Sequence, residues 1–547
     1  MPLQEDFLRR ILHRLVPALV LYYVIMLFKE IVMKKVTPIL IVLLFLLSLS
    51  AFAEYSGGSG TESDPWQISC PNDLLYLASH PEDYNSCFIL TADINLADYT
   101  FTSAVIAPDN IINSHWEFDG TEFRGIFDGN SHVICNLTIG NSNINMYLGL
   151  FGRTGFECEI KNLGIEDVNI NGLYQSQAIG GLVGENYGNL DNCHTTGYVC
   201  GGSFVGGLCG SNGEWNNPGS IISDCFSTCS VICVQYYSEF IGGLCGDNSR
   251  GVIQDCFSTG PVSGGGYIGG LCGYNSGGII NDCFSSSPVT GVDYIGGLIG
   301  LNYSANSIRN CYATGDVNGK IILGGLIGEN IGQIGKNYGT VRECYATGSI
   351  KGRDNSREQG GLVGRNSGVI INCYATGAVI GENNSKTLGG LVGYNGNTII
   401  ICYSTGEVKA GTNSGALGGF VGANSGGIGY CLWDKQTSGM QVGVGSGYRG
   451  YILGKITAQM QTQSTFTNYY GDSIYRWDFV GETANGTEDI WFVREGKEYP
   501  KLWWQNNRPV ANAGADQTVY ASIDGFADVN LDGSASFDED GDEISYH

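Results

Sequence analysis

Few side chains in this 547-residue chain stand where they could do chemistry. The densest charged loop holds Arg353, Asp354, Arg357 and Glu358. Clustered carboxylates beside an arginine or lysine base could serve a polysaccharide lyase or hydrolase, because catalysis needs an acid or base held within reach of a substrate proton. Opposite charges in one exposed loop read first as a solvated, self-paired turn. Asp538, Asp540 and Asp542 alternate as calcium oxygen ligands do. The EF-hand pattern requires Gly at 543, where Glu543 stands, so at most a loose calcium site is expected. Nineteen cysteines could form disulfides in an exported chain. No Cys-x-x-Cys pair has a matching second pair, and Cys158, Cys200, Cys229 and Cys233 are scattered, which argues against a zinc site. No catalytic, cofactor-binding or metal residue is assigned on these grounds.

The elements that would position such groups follow from a repeat. The phrase Gly-Gly-Leu/Phe-x-Gly-x-Asn occurs nine times, beginning at Gly180, Gly206, Gly242, Gly269, Gly296, Gly324, Gly360, Gly389 and Gly418. It ends at Asn186, Asn212, Asn248, Asn275, Asn302, Asn330, Asn366, Asn395 and Asn424. A second phrase follows each copy, with an aliphatic residue three places before a cysteine. These cysteines are Cys193, Cys225, Cys256, Cys283, Cys311, Cys344, Cys373, Cys402 and Cys431. Phe or Tyr comes next in seven copies; His194 and Leu432 stand in the first and last. Steps of 26 to 36 residues mark a solenoid, in which each repeat buries its apolar face only against its neighbours.

Both phrases are short β-branched and aromatic runs bounded by Gly, Asn, Ser and Thr, which read as strands. Glycine every few residues would destabilise a helix. Two or three strands per repeat, all running the same way, predict an all-β fold: a right-handed parallel β-helix of about ten or more coils. One strand spacing per coil, roughly 4.8 Å, gives a rod on the order of 50 Å long. The glycines are expected to permit φ > 0 and close approach at the bends. The asparagines are expected to sit at a bend, tolerate the left-handed conformation and bond one another along the rod. The cysteines are expected to form a parallel column, mostly of reduced, buried thiols behaving as small hydrophobes. Cys209, Cys245 and Cys272 would form a shorter second column. The distance from first glycine to cysteine is 13 to 15 in seven copies and 19 or 20 in two. Those insertions, around Gly213–Ser220 and Ile331–Thr340, predict loops on one face.

Gly361-Leu362-Val363-Gly364-Arg365-Asn366, followed by Asn372-Cys373-Tyr374-Ala375-Thr376-Gly377, resembles the GLUG motif of bacterial secreted and surface proteins. The resemblance covers roughly residues 145–435. It implies a surface β-solenoid, adhesin-like in some relatives and attached to a metallopeptidase in others. That peptidase would need His-Glu-x-x-His, and none of the histidines at 13, 80, 115, 132, 194 and 547 forms it. Protease activity is therefore not carried over.

Residues 1–32 read as an upstream extension before a true start at Met33, with Leu15–Phe28 as an alternative but short membrane anchor. Residues 33–53 read as a signal peptide, with an apolar run Ile39–Leu49 and the cleavage motif Ala51-Phe52-Ala53. Residues 54–144 are assigned to an N-terminal cap and first coils, with a helix at Asp73–His80 plugging the open end. Residues 145–435 are the repeat, and 436–507 are C-terminal coils or a cap. Residues 508–547 resemble the start of a PKD or related immunoglobulin-like domain, incomplete at 40 residues.

Residues 1–53 hold six Lys/Arg and three Asp/Glu, so the rest carries 22 basic and 50 acidic side chains, net −28. Such charge disfavours nucleic-acid binding. With no membrane span expected after the signal peptide, the reading is a secreted or cell-surface solenoid for adhesion, matrix building or carbohydrate binding. Its expected partners are extracellular glycans or other surface proteins, and it is not an enzyme. A polysaccharide lyase or hydrolase of β-helix fold is the alternative. The two separate on whether acidic and basic side chains from three or more adjacent coils converge in one cleft.

Overall fold

The computed structural model describes residues 20–27, 29, 55–110, 118–140, 144–213, 219–233, 238–331, 339–467, 476–481 and 486–505. Contacts divide the chain into residues 1–58 and residues 59–547. In the first unit, 20–27 and 29 are helical. The proposed leader at 33–53 and the PKD-like segment at 508–547, with Asp538, Asp540 and Asp542, lie outside the described residues. No described helix is long and apolar enough to cross a membrane.

The second unit is a parallel β-solenoid. One coil shows its plan: strands Val252–Gln254, Phe257–Ser258, Val262–Ser263, Gly266–Gly269 and Cys272–Ser276. Each pairs in parallel with its counterpart in the next coil, for example Ile253 with Ile280, Phe257 with Phe284, Ile268 with Ile295 and Asn275 with Asn302. The strands before the cysteines stack into a 13-stranded sheet, and those ending in the asparagines into an 11-stranded one. The intervening short strands form a third, continuous sheet. Strands Trp66–Ile68 and Cys87–Leu90 already belong to the 13-stranded sheet. A helix at Pro71–Ser79 packs beside the first of them, burying Leu74 and Leu77.

Inside, each coil buries aliphatic side chains from its strands and from the bend between the last two. Ile253, Ile268 and Leu271 are fully buried, as are Ile280, Ile295 and Leu298 one coil on. Such a side chain contributes roughly 1.5–3 kcal/mol by leaving water. The paired glycines allow this packing through close approach. A Cβ on Gly269 would lie 2.0 Å from the Cys272 carbonyl oxygen, and one on Gly270 2.1 Å from the Gly297 carbonyl oxygen. Neither has φ > 0, so the conformational role expected of them is corrected. The left-handed residues are others: the one just before each column cysteine, such as Asp255, Asp282 and Asn310 at φ 53°, and the one two before each glycine pair, such as Phe240 at 59° and Tyr267 at 53°. Asn and Asp accept that conformation through local hydrogen bonding.

The nine asparagines are also not left-handed. They form one unbroken buried ladder, in which each Nδ2 donates to the Oδ1 of the next at 2.8–3.0 Å, from Asn186 to Asn424. Most also close their own turn, as where Gly188 N donates to Asn186 Oδ1. The column cysteines are buried free thiols that donate to carbonyls, as Cys283 Sγ does to Asn281 O at 2.9 Å. Burial pushes the Cys283 and Cys311 thiols well above their ordinary range.

Candidate functional site: two grooves on the solenoid flank

Outside the cysteines runs an aromatic column. His194, Phe226, Phe257, Phe284, Tyr312, Tyr345, Tyr374 and Tyr403 stack with centroids 4.8–5.0 Å apart and planes within 6°. Rings stacked this way present only edges to the outside. The column therefore holds coils together and, between its ends, offers no ring face to a ligand; His194, at one end, lies over Gly164 and lines a small cleft.

Residues 476–481 and 486–505 fold back along part of this column. Trp504 lies over Tyr312 and Tyr345, Trp491 over Tyr374 and Tyr403, and Trp477 over Tyr403. Trp504 Nε1 donates to Glu343 O at 3.1 Å and Tyr403 Oη to Pro500 O. Met460, Phe466, Phe479 and Leu502 complete a buried cluster there.

Where this segment meets the 13-stranded sheet, a groove of about 510 Å³ opens. Trp503, 43% exposed, lines it. Glu343, nearly buried, bridges two arginines on its floor: Arg309 Nη2 at 3.2 Å and Arg342 Nε at 2.8 Å. Arg342 reaches Glu488 at 3.2 Å as well. The cations of this groove are thus neutralised, leaving a partly exposed indole, the Asn310 amide and fixed ion pairs.

The second groove arises from a change in coil length. From column cysteine to the next glycine pair the chain takes 13 residues after Cys256, Cys283 and Cys311, but 16 after Cys344, Cys373 and Cys402. Between Gly319 and Ile321 stands only Lys320; their partners Gly352 and Arg357 are separated by residues 353–356. The extra residues turn outward and stack as a ridge. Its tips, Asn355, Asn384 and Asn413, are left-handed at φ 63°, 58° and 57°. Ser356 and Ser385 hydroxyls meet at 2.7 Å, and Asn355 N donates to Asn383 O.

The abrupt start of the ridge leaves a step, a groove of about 710 Å³. It is lined by Asn318, Lys320, Lys351, Gly352, Arg353, Asp354, Asn355 and Glu382. Its carboxylates hold the ridge together: Glu382 Oε2 accepts from Asp354 N, and Asp354 Oδ1 from Asn383 N, both at 3.0 Å. Lys320 and Arg353 form no ion pair among the described residues, and Lys351 sits 4.0 Å from Asp316.

The loop expected to be self-paired is divided. Arg353 and Asp354 face the step, whereas Glu358 pairs with Arg365, whose Nη2 donates to its Oε1 at 2.7 Å. Arg357 is exposed, in register with Lys386. Acidic and basic side chains from three adjacent coils do converge in the step, at Lys320, at Lys351 with Arg353 and Asp354, and at Glu382. All five are solvent-exposed and uncovered, and both carboxylates are already engaged by backbone amides, so the step neither excludes competing water nor leaves a carboxylate free of the ridge. Among the described residues no cluster of three or more His, Cys, Asp or Glu could hold a metal ion.

Coils, columns and grooves define the class: a parallel β-solenoid built on a repeated glycine phrase. The family model of the GLUG motif matches it at residues 175–199, 291–318 and 360–380. Halomucin of Haloquadratum walsbyi is 31% identical over 160 residues, 28% of this chain and 2% of that protein. A protein of Evansella cellulosilytica described as a Gly-rich membrane protein is 31% identical over 142 residues, 25% of this chain and 15% of that one. The chain thus spans only a small part of the curated relatives it matches. A crystal structure described as an immunoglobulin A1 protease from Bacteroides ovatus aligns at 25% identity over 49% of this chain and 80% of that one, with a TM-score of 0.38. A score that low carries no inference about activity.

Proposed function

We propose that the protein is an exported or surface solenoid that binds extracellular glycans, in adhesion or in building a matrix. The observation that carries this reading is the division of labour on the flank. Every recurrent side chain serves cohesion between coils, and the non-recurrent ones form open, polar grooves. In one of them the partly exposed indole of Trp503 stands beside fixed arginines and carboxylates. A sugar ring can lay its C–H groups on the electron-rich face of an aromatic ring while its hydroxyls bond to such groups. The named relatives, a halomucin and a Gly-rich membrane protein, accord with a surface role. Convergence of charge from three coils in the step favours a lyase or hydrolase as a second reading, but the exposure of those groups favours holding a ligand over cleaving it.

A glycan array with residues 54–547 tests the proposal. Trp503→Ala is expected to lose at least ten-fold in affinity for the neutral glycans bound by the wild type, with an unchanged circular-dichroism spectrum. Absence of binding to any glycan would refute the reading.

A further inference from the structure

We infer that the step groove is a binding site for an acidic polysaccharide, its anionic groups held by Lys320, Lys351 and Arg353. This rests on the glycan-binding reading and assigns a ligand class to one site within it.

Three observations lead there. The first is charge. The chain carries 28 Lys and Arg against 53 Asp and Glu. Even so, three of the eight residues lining this groove are cationic. The exposed Arg357 and Lys386, in register on adjacent coils, continue the basic strip along the ridge.

The second is hydrogen-bonding capacity. Asp354 and Glu382 are engaged by backbone amides of the ridge, which fixes them in place. Lys320 and Arg353 make no ion pair within 4 Å among the described residues, Lys320 being attracted to Asp293 only at longer range, so their N–H groups remain available. Charge-assisted bonds from such donors to carboxylate or sulfate are the strong ones, and the guanidinium can grip an anion with two parallel bonds. In the Trp503 groove, by contrast, both arginines are already paired with Glu343.

The third is the lining itself. No apolar or aromatic side chain is among it. A peptide would find no pocket for an anchoring side chain, and a neutral sugar no ring face. Asn318 and Asn355 add amides that donate to and accept from hydroxyls. Cations, amides and fixed carboxylates together suit a chain that is both polyhydroxylated and anionic. Carboxylated and sulfated polysaccharides share that chemistry.

The test is binding of size-matched polygalacturonate, dextran sulfate, neutral dextran and poly-glutamate, measured by calorimetry at low salt and again with added NaCl. Polygalacturonate or dextran sulfate should bind, and which of them binds tells carboxylate from sulfate. Binding should weaken with salt, because exposed charges are screened. Lys320→Gln with Arg353→Gln should lower affinity at least ten-fold. Lys409→Gln, whose lysine is paired with Glu407, should leave it unchanged. Equal binding by the double variant, or equal binding of poly-glutamate, would overturn the inference. So would release of unsaturated uronate ends by the wild type, which would mean turnover. If neutral glycans bind and acidic ones do not, this inference fails alone; if nothing binds, the glycan-binding reading fails with it.

Discussion

Asp247 shows how one side chain can depart from its column. It occupies the place held by Ser211 and Tyr274 in the neighbouring coils, and it is buried. Ser249 Oγ donates to its Oδ2 at 2.5 Å, but burial dominates and raises its pKa from 3.8 to about 7. The folded state therefore keeps this proton until about pH 7, whereas the unfolded chain loses it near 3.8. Between those values the native state binds more protons, so its stability falls as pH rises from about 4 to 7 and is level above. The contribution is at most about 4 kcal/mol, at 1.36 kcal/mol per pKa unit. Asp247→Asn should flatten that slope and raise stability at pH 8, as read by urea denaturation across pH. A wild-type slope unchanged by the substitution would contradict the assignment. The asparagine ladder shows the opposite case, polar groups that are buried and satisfied. Deleting one rung would strand its neighbours at about 1–3 kcal/mol per orphaned group.

The elements were legible in the sequence wherever a residue type recurs. Both phrases become strands, and the Asn residues become a line, because stacking coils one strand spacing apart turns a periodic residue into a column. What recurrence does not reveal is backbone geometry. The glycine pairs relieve clashes with the next coil, and the left-handed positions fall on Asp255, Asn310 and Tyr267, where no residue type is fixed. The ridge does not show in the distance from glycine to cysteine; the complementary interval, 13 residues in four copies, 17 after Cys225 and 16 in the three that carry the ridge, marks it. Nor could composition reveal that Trp491 and Trp504 lie along the flank, since aromatic content specifies burial without a face. The ridge yields its own prediction. Asn384 sits at φ 58° and its side chain makes no hydrogen bond among the described residues, so conformation decides the cost. Asn384→Gly should be nearly neutral and Asn384→Val should cost about 1–2 kcal/mol. Thermal denaturation of the two variants separates them, and equal melting temperatures would show that something other than φ fixes this residue.

At the scale of the whole solenoid, coils touch only their neighbours, so stability is a sum of coil and interface contributions and need not be uniform. The flanking segment breaks that one-dimensional order. Trp504, Trp491 and Trp477 clasp the coils from Tyr312 to Leu432, and Tyr499 Oη ties in Asp434 at 2.8 Å. The coils bearing Phe226, Phe257 and Phe284 have ring stacking but none of these tryptophans over it. Trp491 is fully buried, and removing such a side chain costs roughly 3–5 kcal/mol. Trp491→Ala should therefore lower amide protection by about a hundred-fold or more in the coils of Tyr374 and Tyr403, at 1.36 kcal/mol per ten-fold. The strands Val252–Gln254 and Ile279–Asn281 should keep theirs, because no contact carries the loss so far along the stack. Hydrogen exchange read by mass spectrometry resolves the two regions. Protection lost evenly along the rod would mean that the solenoid unfolds as one cooperative unit, and the flanking segment would then stabilise the whole molecule.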